Sequence, residues 1–530
     1  WYTAWLFALF AMSGTRFFWR VMRPTLDAIA KGPTRNGNGN GNGNGNGNGN
    51  GNGKRVLLYG AGERGCTFFQ MIHHQATPNY NIVGFVDDDP RKQAVYIGGY
   101  RVLGTGKDLV ALVKQYEVEE VVITIGDANK TQIQEIMQLC RTAKVKPTVM
   151  PSILELMDGQ RLRPREIDVE DLLGREAPVT QVGLHRNYLE GKTVLVTGAG
   201  GSIGSELSRQ ICRHNPKHVI LLGRGENRIH WIYLQLRERY PDLQVTPIIH
   251  NITVTNAIES VFARYQPEIV FHAAAHKHVY LMEPVPAEAV RNNVIGTRDL
   301  ARIACDHGVE KFIFISTDKA VAPSSIMGAT KRACELLLIT QPRVKTEFIC
   351  VRFGNVLGSE GSVLEIFKRQ WKNDEPLTVT HEDATRYFMS IPEASFLVMQ
   401  AGSLGTHGEV FLLDMGNPVK IQKLAEEFIT LHGGNPWDPK AIKLTGLREG
   451  EKLHEALVYD NEDLVPTANP HVMKISDPSG NLTHDEVEEY LRQLAQAVTA
   501  NDDEEALRIL AEFTGGTLRP QQRVVLSRIS

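Results

Sequence analysis

At 530 residues, with 42% hydrophobic and 22% charged residues, the chain is long enough for two or three domains with cores of their own. A formal net charge of −3 argues against a basic nucleic-acid binder and against a disordered polyelectrolyte. Six cysteines (Cys66, Cys140, Cys212, Cys305, Cys334, Cys350) show no close pairs and no metal-type spacing, which fits a reducing compartment with thiols in cores, no disulfide and no zinc.

Trp1 to Thr15 carries no charge and is rich in Trp, Phe and Leu; Arg16, Arg20 and Arg23 follow, with Phe17, Phe18 and Trp19 between them. An aromatic belt with a positive flank reads as the cytoplasmic end of a transmembrane helix. Residues 1–30 are therefore expected to be the remnant of a membrane anchor, its upstream part missing because the chain begins without Met. A full span needs roughly 20 apolar residues, so an interfacial or buried terminal helix is the alternative. Residues 31–53 are dominated by an Asn-Gly repeat with nothing to bury, expected to be a flexible tether.

Residues 54–150 open on "KRVLLYGAGERG", a strand running into Gly60-x-Gly62-x-x-Gly65. "NIVGFVDDD" ends at Asp87 to Asp89, a plausible distance on for a ribose-binding acid, and strands at "VEEVVITIG" and "KVKPTVM" follow. This is a small Rossmann-like domain, and its ligand stays open. Residues 151–190 are charge-rich without a long period and read as a connector.

The pattern restarts over residues 191–475 with "KTVLVTGAGGSIGSEL": a strand to Val196, a loop through Gly198, Gly201 and Gly204, and a helix beginning near Ser205. TGxxGxxG is the spacing of an extended short-chain dehydrogenase, whose glycines let the backbone approach a pyrophosphate at a helix N-terminus. The strand "HVILLGRGEN" ends in Gly223-Arg224 where an NAD enzyme often has an acid, and an arginine there can hold a 2′-phosphate. That favours NADP, with NAD possible. The cofactor set expected is Gly198, Gly201, Ser202, Ile203, Gly204, Arg224, Asn251 and Ile252. "EIVFHAAAHKHV" is a further buried strand with small residues at its end, and "NNVIGT", Asn292 to Thr297, opens the next helix. His276 and His278 alternate with no third ligand in sight, so no metal is expected. Residues 476–530 carry two amphipathic helices, "THDEVEEYLRQLAQAV" and "EEALRILAEF", to cap the domain or mediate assembly. The fold class is thus α/β: two tandem Rossmann-like doubly wound parallel sheets, the second an extended short-chain dehydrogenase fold with a C-terminal substrate-binding portion.

Tandem Rossmann units behind a membrane segment, with "TGAGGSIGSEL", "HAAAHKHV", "NNVIGT", "STDKAV" and "MGATKR", resemble the membrane-anchored UDP-N-acetylglucosamine 4,6-dehydratases of bacterial polysaccharide biosynthesis. Dehydrogenases of this superfamily place Tyr four residues before the lysine of the last motif; here it is Met327, as in the methionine-bearing branch. A thioether cannot shuttle a proton. The resemblance implies that Lys331 bonds the nicotinamide ribose and that Asp318 and Lys319 are acid and base, with Thr317 on the C4 oxygen. It further implies that Lys277 lies near the sugar, Asn355 by the nucleotide, and Arg386 and Arg448 at the diphosphate. The Arg352 of "VRFGNVLGSEGSV" is grouped with them, and His381 stands where an acid is expected. As base, Lys319 needs a neutral amine, so burial beside Lys331 and the nicotinamide should lower its pKa towards ~7 to 8, while burial should raise that of Asp318. The implied setting is UDP-N-acetylglucosamine as substrate and a homo-oligomer at the inner membrane with its catalytic domains in the cytoplasm. A C4 epimerase and a non-catalytic nucleotide sensor are the rivals.

Overall fold

The computed structural model describes residues 53–73, 80–125, 130–150, 165–166, 187–343, 345–476, 478 and 482–518. The expected anchor, residues 1–30, lies outside them, as does nearly all of the Asn-Gly tract. Among the described residues no helix is long and apolar enough to cross a membrane. The chain divides into two compact units, Trp1–Gly174 and Arg175–Ser530.

The first unit is a seven-stranded sheet in the order Tyr96–Ile97, Tyr100–Gly104, Tyr80–Val86, Lys54–Tyr59, Glu120–Ile123, Lys146–Val149, Arg165–Glu166. Both edge pairings are antiparallel and those between are parallel. Its centre is apolar because Val56, Leu57 and Leu58 are buried with Val121 and Val122. The strand Arg165–Glu166 falls in the stretch read as a connector, so the first sheet reaches past residue 150.

The second unit holds a nine-stranded sheet: Gln244–Ile249, His218–Gly223, Thr193–Thr197, Ile269–His272, Lys311–Ile315, Glu347–Arg352, Glu409–Leu413, Val472–Ile475, Leu464–Pro466. The first seven run parallel and the last two antiparallel. Strands buried on both faces need apolar residues throughout, which "TVLVT" and "HVILLG" supply. Alternation then divides them: Leu195 packs into the core under helices Thr255–Tyr265, Gly296–Asp306 and Ile326–Ile339, while Val194 and Val196 pack into the core under Ser202–Cys212, Glu226–Arg239 and Ile391–Leu404. Chain order reverses between Thr193–Thr197 and Ile269–His272, and ligands of such sheets bind in the crevice at that switch.

Two expectations shift, and one open alternative closes. The glycine-loop helix starts at Ser202, before Ser205, so the loop passes directly into helical N–H groups. "NNVIGT" does not open a helix: helical structure begins at Pro286, and Val290–Ile295 forms a π-helical turn leading into Gly296–Asp306. The helices His484–Ala500 and Asp503–Thr514 bury Leu491, Leu494, Leu510 and Phe513 in the same core as the Ile326–Ile339 helix, so they cap the catalytic unit.

Candidate active site

The candidate cofactor cleft is built where the sheet switches direction. Gly198, Gly200, Gly201, Gly223, Arg224, Arg228, Asn251, Ile252 and Ala274 line it. Gly198 has φ +67°, and a Cβ there would stand 2.7 Å from the Ala274 nitrogen, so only glycine lets the loop cross the neighbouring strand end. A Cβ on Gly204 would run into the Gly198 carbonyl. Gly201 caps the Ser202–Cys212 helix without a side chain, leaving its first N–H groups for an anion. The structure thus brings most of the sequence-expected cofactor residues to one cleft and adds Arg228 beside the exposed Arg224.

The candidate reactive turn follows the strand Lys311–Ile315. Thr317 caps the short helical turn Asp318–Ala320. Its hydroxyl donates to Asp318 Oδ1 at 2.9 Å, and Lys319 Nζ reaches the same oxygen at 2.9 Å. Asp318 is fully buried, with Oδ2 lacking a hydrogen-bond partner. Lys319 Nζ also donates to Asn355 Oδ1 at 2.9 Å and lies 3.7 Å from Glu455 Oε1. Burial alone would lower the pKa of Lys319, but the Asp318 and Glu455 carboxylates outweigh it and hold the ammonium above the ordinary lysine range. The lowered base expected from sequence is therefore corrected: the lysine that burial depresses, to about 8, is Lys331. Its Nζ donates to the Ile315 carbonyl at 2.7 Å and lies 4.5 Å from the centre of the Phe314 ring.

Met327 and Lys331 share the helix Ile326–Ile339, and both are buried. Ser325 caps that helix by accepting from Gly328 N–H, and Glu283 accepts from Ile326 N–H at 2.9 Å. Sequence reasoning passed over Gly328, where a Cβ would strike the Lys319 carbonyl; its absence lets helix and reactive turn touch. It also passed over Asn293. From the π turn, Asn293 accepts from His276 N–H and donates to the His276 carbonyl and Thr330 Oγ1, tying the cleft wall to the Met327 helix.

The substrate set is dispersed. Lys277 donates to the Glu360 carbonyl at 2.7 Å, and the exposed Arg448 stacks its guanidinium 5.2 Å from the Tyr280 ring. Arg386 is buried: Nη1 donates to the Thr385 and Leu453 carbonyls and Nη2 to Glu451, so its fork is engaged by protein acceptors. Asn355 accepts from Lys319 Nζ. Arg352 belongs to no ligand site: wholly buried, it is held by Glu335 and Glu462. The half-buried His381 accepts from Asp383 N–H, and His276 lies 3.4 Å from Glu288. In the first unit Asp87 accepts from Ala61 N–H in the glycine loop at 2.7 Å and pairs with Lys92 at 2.9 Å, so that carboxylate is satisfied by its own domain.

Glycine loop, switch-point cleft and reactive turn define an enzyme of the extended short-chain dehydrogenase type. The chain belongs to the polysaccharide biosynthesis protein family, which matches residues 194–477, and the CoA-binding domain family matches residues 2–151. It is 41% identical over 469 residues to the capsular polysaccharide biosynthesis protein CapD of Staphylococcus aureus, covering 87% of this chain and 74% of that one. The UDP-glucose 4-epimerase of Rickettsia typhi is 32% identical over 282 residues, 52% of this chain and 79% of the relative. Among solved structures, Pen from Bacillus thuringiensis superposes with a TM-score of 0.51 at 29% identity, over 55% of this chain and 91% of that one.

Proposed function

We propose that the chain catalyses the NADP-dependent 4,6-dehydration of UDP-N-acetylglucosamine to the 4-keto-6-deoxy sugar nucleotide, for polysaccharide or glycan biosynthesis. The observation that carries this reading is the 2.9 Å contact of Lys319 with Asp318, beside a helix with Met327 where a proton-carrying tyrosine would stand. When bound, NADP supplies one service, taking a hydride from C4 of the sugar and returning it at C6. Gly198, Gly201 and the Ser202 to Gly204 turn would hold its pyrophosphate, Asn251 and Ile252 would line the adenosine side, and Lys331 would bond the nicotinamide ribose. Arg224 and Arg228 suit a 2′-phosphate, which favours NADP over NAD.

What remains is proton work at C5 and C6. Moving one proton along the Lys319–Asp318 hydrogen bond turns the ion pair into a neutral amine and a carboxylic acid, with no change of net charge. The amine is then a base for the C5 hydrogen and the acid a donor to the departing C6 hydroxyl. A lysine held protonated at rest is thus compatible with base catalysis, because the free amine is made within the pair. Thr317, hydrogen-bonded to Asp318, connects the C4 hydroxyl to the same carboxyl. Lys277 and Asn355 would face the sugar and nucleotide, and the exposed Arg448 would meet the diphosphate. The proposal includes membrane attachment through residues 1–30 and a homo-oligomer.

The test is turnover of UDP-N-acetylglucosamine in D2O read by proton NMR. Dehydration places deuterium at C5, and a substrate deuterated at C4 delivers its label to the C6 methyl group. A C4 epimerase, the reading favoured by likeness to the Rickettsia typhi relative, would return a 6-hydroxyl sugar unlabelled at C5 and reject the dehydratase. NADP binding without turnover of any UDP-sugar would favour a sensor.

A further inference from the structure

Next to the Lys319–Asp318 pair stands a carboxylate that no step above uses. Glu455 is 8% exposed. Its Oε1 lies 3.7 Å from Lys319 Nζ and 4.0 Å from Arg386 Nε, and its Oε2 lies 3.7 Å from Lys452 Nζ. All three distances exceed a hydrogen bond, and the buried Oε2 has no hydrogen-bond partner. The other charges of the cluster are satisfied at shorter range: Glu451 accepts from Arg386 at 2.8 Å, Lys452 donates to the Val321 carbonyl at 2.7 Å, and Asp318 holds Lys319 at 2.9 Å. A carboxylate serving only as a structural ion pair would close on one of its three cations, as Glu451 does. Glu455 instead spreads its negative charge over three cations, the Lys319 nitrogen among them, without closing on any one.

We infer that Glu455 is a positioning residue whose fixed charge sets the strength of the Lys319 base; the inference rests on the dehydratase reading. As the C5–H bond breaks, the proton goes to Lys319 Nζ and the electron pair to the forming C5–C6 double bond. The C6–O bond breaks as that double bond forms, its electron pair leaving with the oxygen, and the proton of Asp318 completes a water molecule. Positive charge grows on Nζ 3.7 Å from Glu455, in a buried setting where solvent screens it little. The carboxylate stabilises that charge without donating or taking a proton.

The experiment is the pH profile of kcat for the full chain. The active form carries one proton on the Lys319–Asp318 pair, so the profile has an acid limb where the pair gains a second proton and an alkaline limb where it loses the last. Glu455→Gln removes a negative charge from a cluster of Asp318, Lys319, Arg386, Glu451 and Lys452. Both limbs should move to lower pH by about one unit, with kcat down roughly tenfold and KM within about twofold. Limbs that stay in place overturn the inference, whether or not kcat falls, because a merely structural role lowers the rate without moving them. Should the glutamine variant not fold, Glu455→Asp keeps the charge but draws it back by one methylene. It should shift the limbs less and in the same direction, and unmoved limbs overturn the inference there too. A wild-type chain that forms no 6-deoxy ketone in D2O overturns the dehydratase reading and this inference with it, an outcome visible before any variant is made.

Discussion

Two lysines, Lys319 half-buried and Lys331 buried, meet opposite electrostatics in this site. Lys319 has two carboxylates within 4 Å and is held charged, whereas Lys331 meets the Ile315 carbonyl and the Phe314 ring face and is pushed by burial to about 8. Replacing Lys319 by Met should lower dehydration by about 10³-fold or more while NADP still binds, checked by product formation and by nucleotide titration. Near-normal turnover would remove Lys319 from the chemistry. Lys331 predicts a stability effect whose sign follows from linkage. Its folded pKa lies below the ordinary 10.5, so between about 8 and 10.5 the unfolded chain binds a proton that the native chain does not, and stability rises with pH across that window. At pH 7 the cost of the buried lysine is on the order of 3 kcal/mol. Lys331→Met in the cofactor-free chain should accordingly be more stable at pH 7, with the advantage fading towards pH 10.5 in urea titrations. An advantage constant with pH would mean that packing, and not charge, separates the two. At this scale the closeness of Thr317, Asp318 and Lys319 was legible because they are consecutive in the sequence, while the roles proposed for them came from the family resemblance. Glu455 and Arg352 were not. Their roles come from partners far along the chain, and an arginine in a conspicuous motif gives no sign that Glu335 and Glu462 will bury it.

The Met327 helix shows how an element's position can outweigh its propensities. Ala is favoured over Gly inside a helix by about 0.5–1 kcal/mol. At Gly328, however, the added Cβ meets the Lys319 carbonyl, a backbone atom of the reactive turn that cannot rotate away. Gly328→Ala should therefore destabilise the chain and lower kcat more than it raises KM, and a higher Tm with normal kcat would contradict the contact. The far side of the same helix is covered by His484–Ala500 and Asp503–Thr514, with Leu491 fully buried. Leu491→Ala should cost about 2–5 kcal/mol in chemical denaturation, as for other fully buried leucines. The amphipathic period of those two helices was readable, while the core they would cover was not. The "NNVIGT" stretch misled for a related reason: a polar Asn pair suggests a helix start, yet in the π turn the widened backbone aims Asn293 inward at His276 and Thr330.

For the whole molecule, the repeated glycine signature announced two nucleotide-type sheets, because a strand, a glycine loop and a helix must recur wherever such a sheet begins. The boundary between them was less visible. Arg165–Glu166 adds only two residues to the first sheet, too few to leave a period, and Leu189 already belongs to the second core, so the stretch read as a connector is shared by both units. That division yields a test. Every group assigned to cofactor or proton chemistry, from Gly198 to Glu455, lies in the second unit, which encloses both of its sheet-face cores from its own residues. A fragment beginning at Arg175 should therefore fold cooperatively and keep kcat within about threefold of the full chain, as expected of a unit with its own core and site. The result is informative in either direction when circular dichroism and NADP affinity are measured alongside. A folded fragment that binds NADP but no longer forms the ketone would assign the first unit a part in turnover, and the carboxylate of Asp87, now satisfied within its own glycine loop, would be the first place to look.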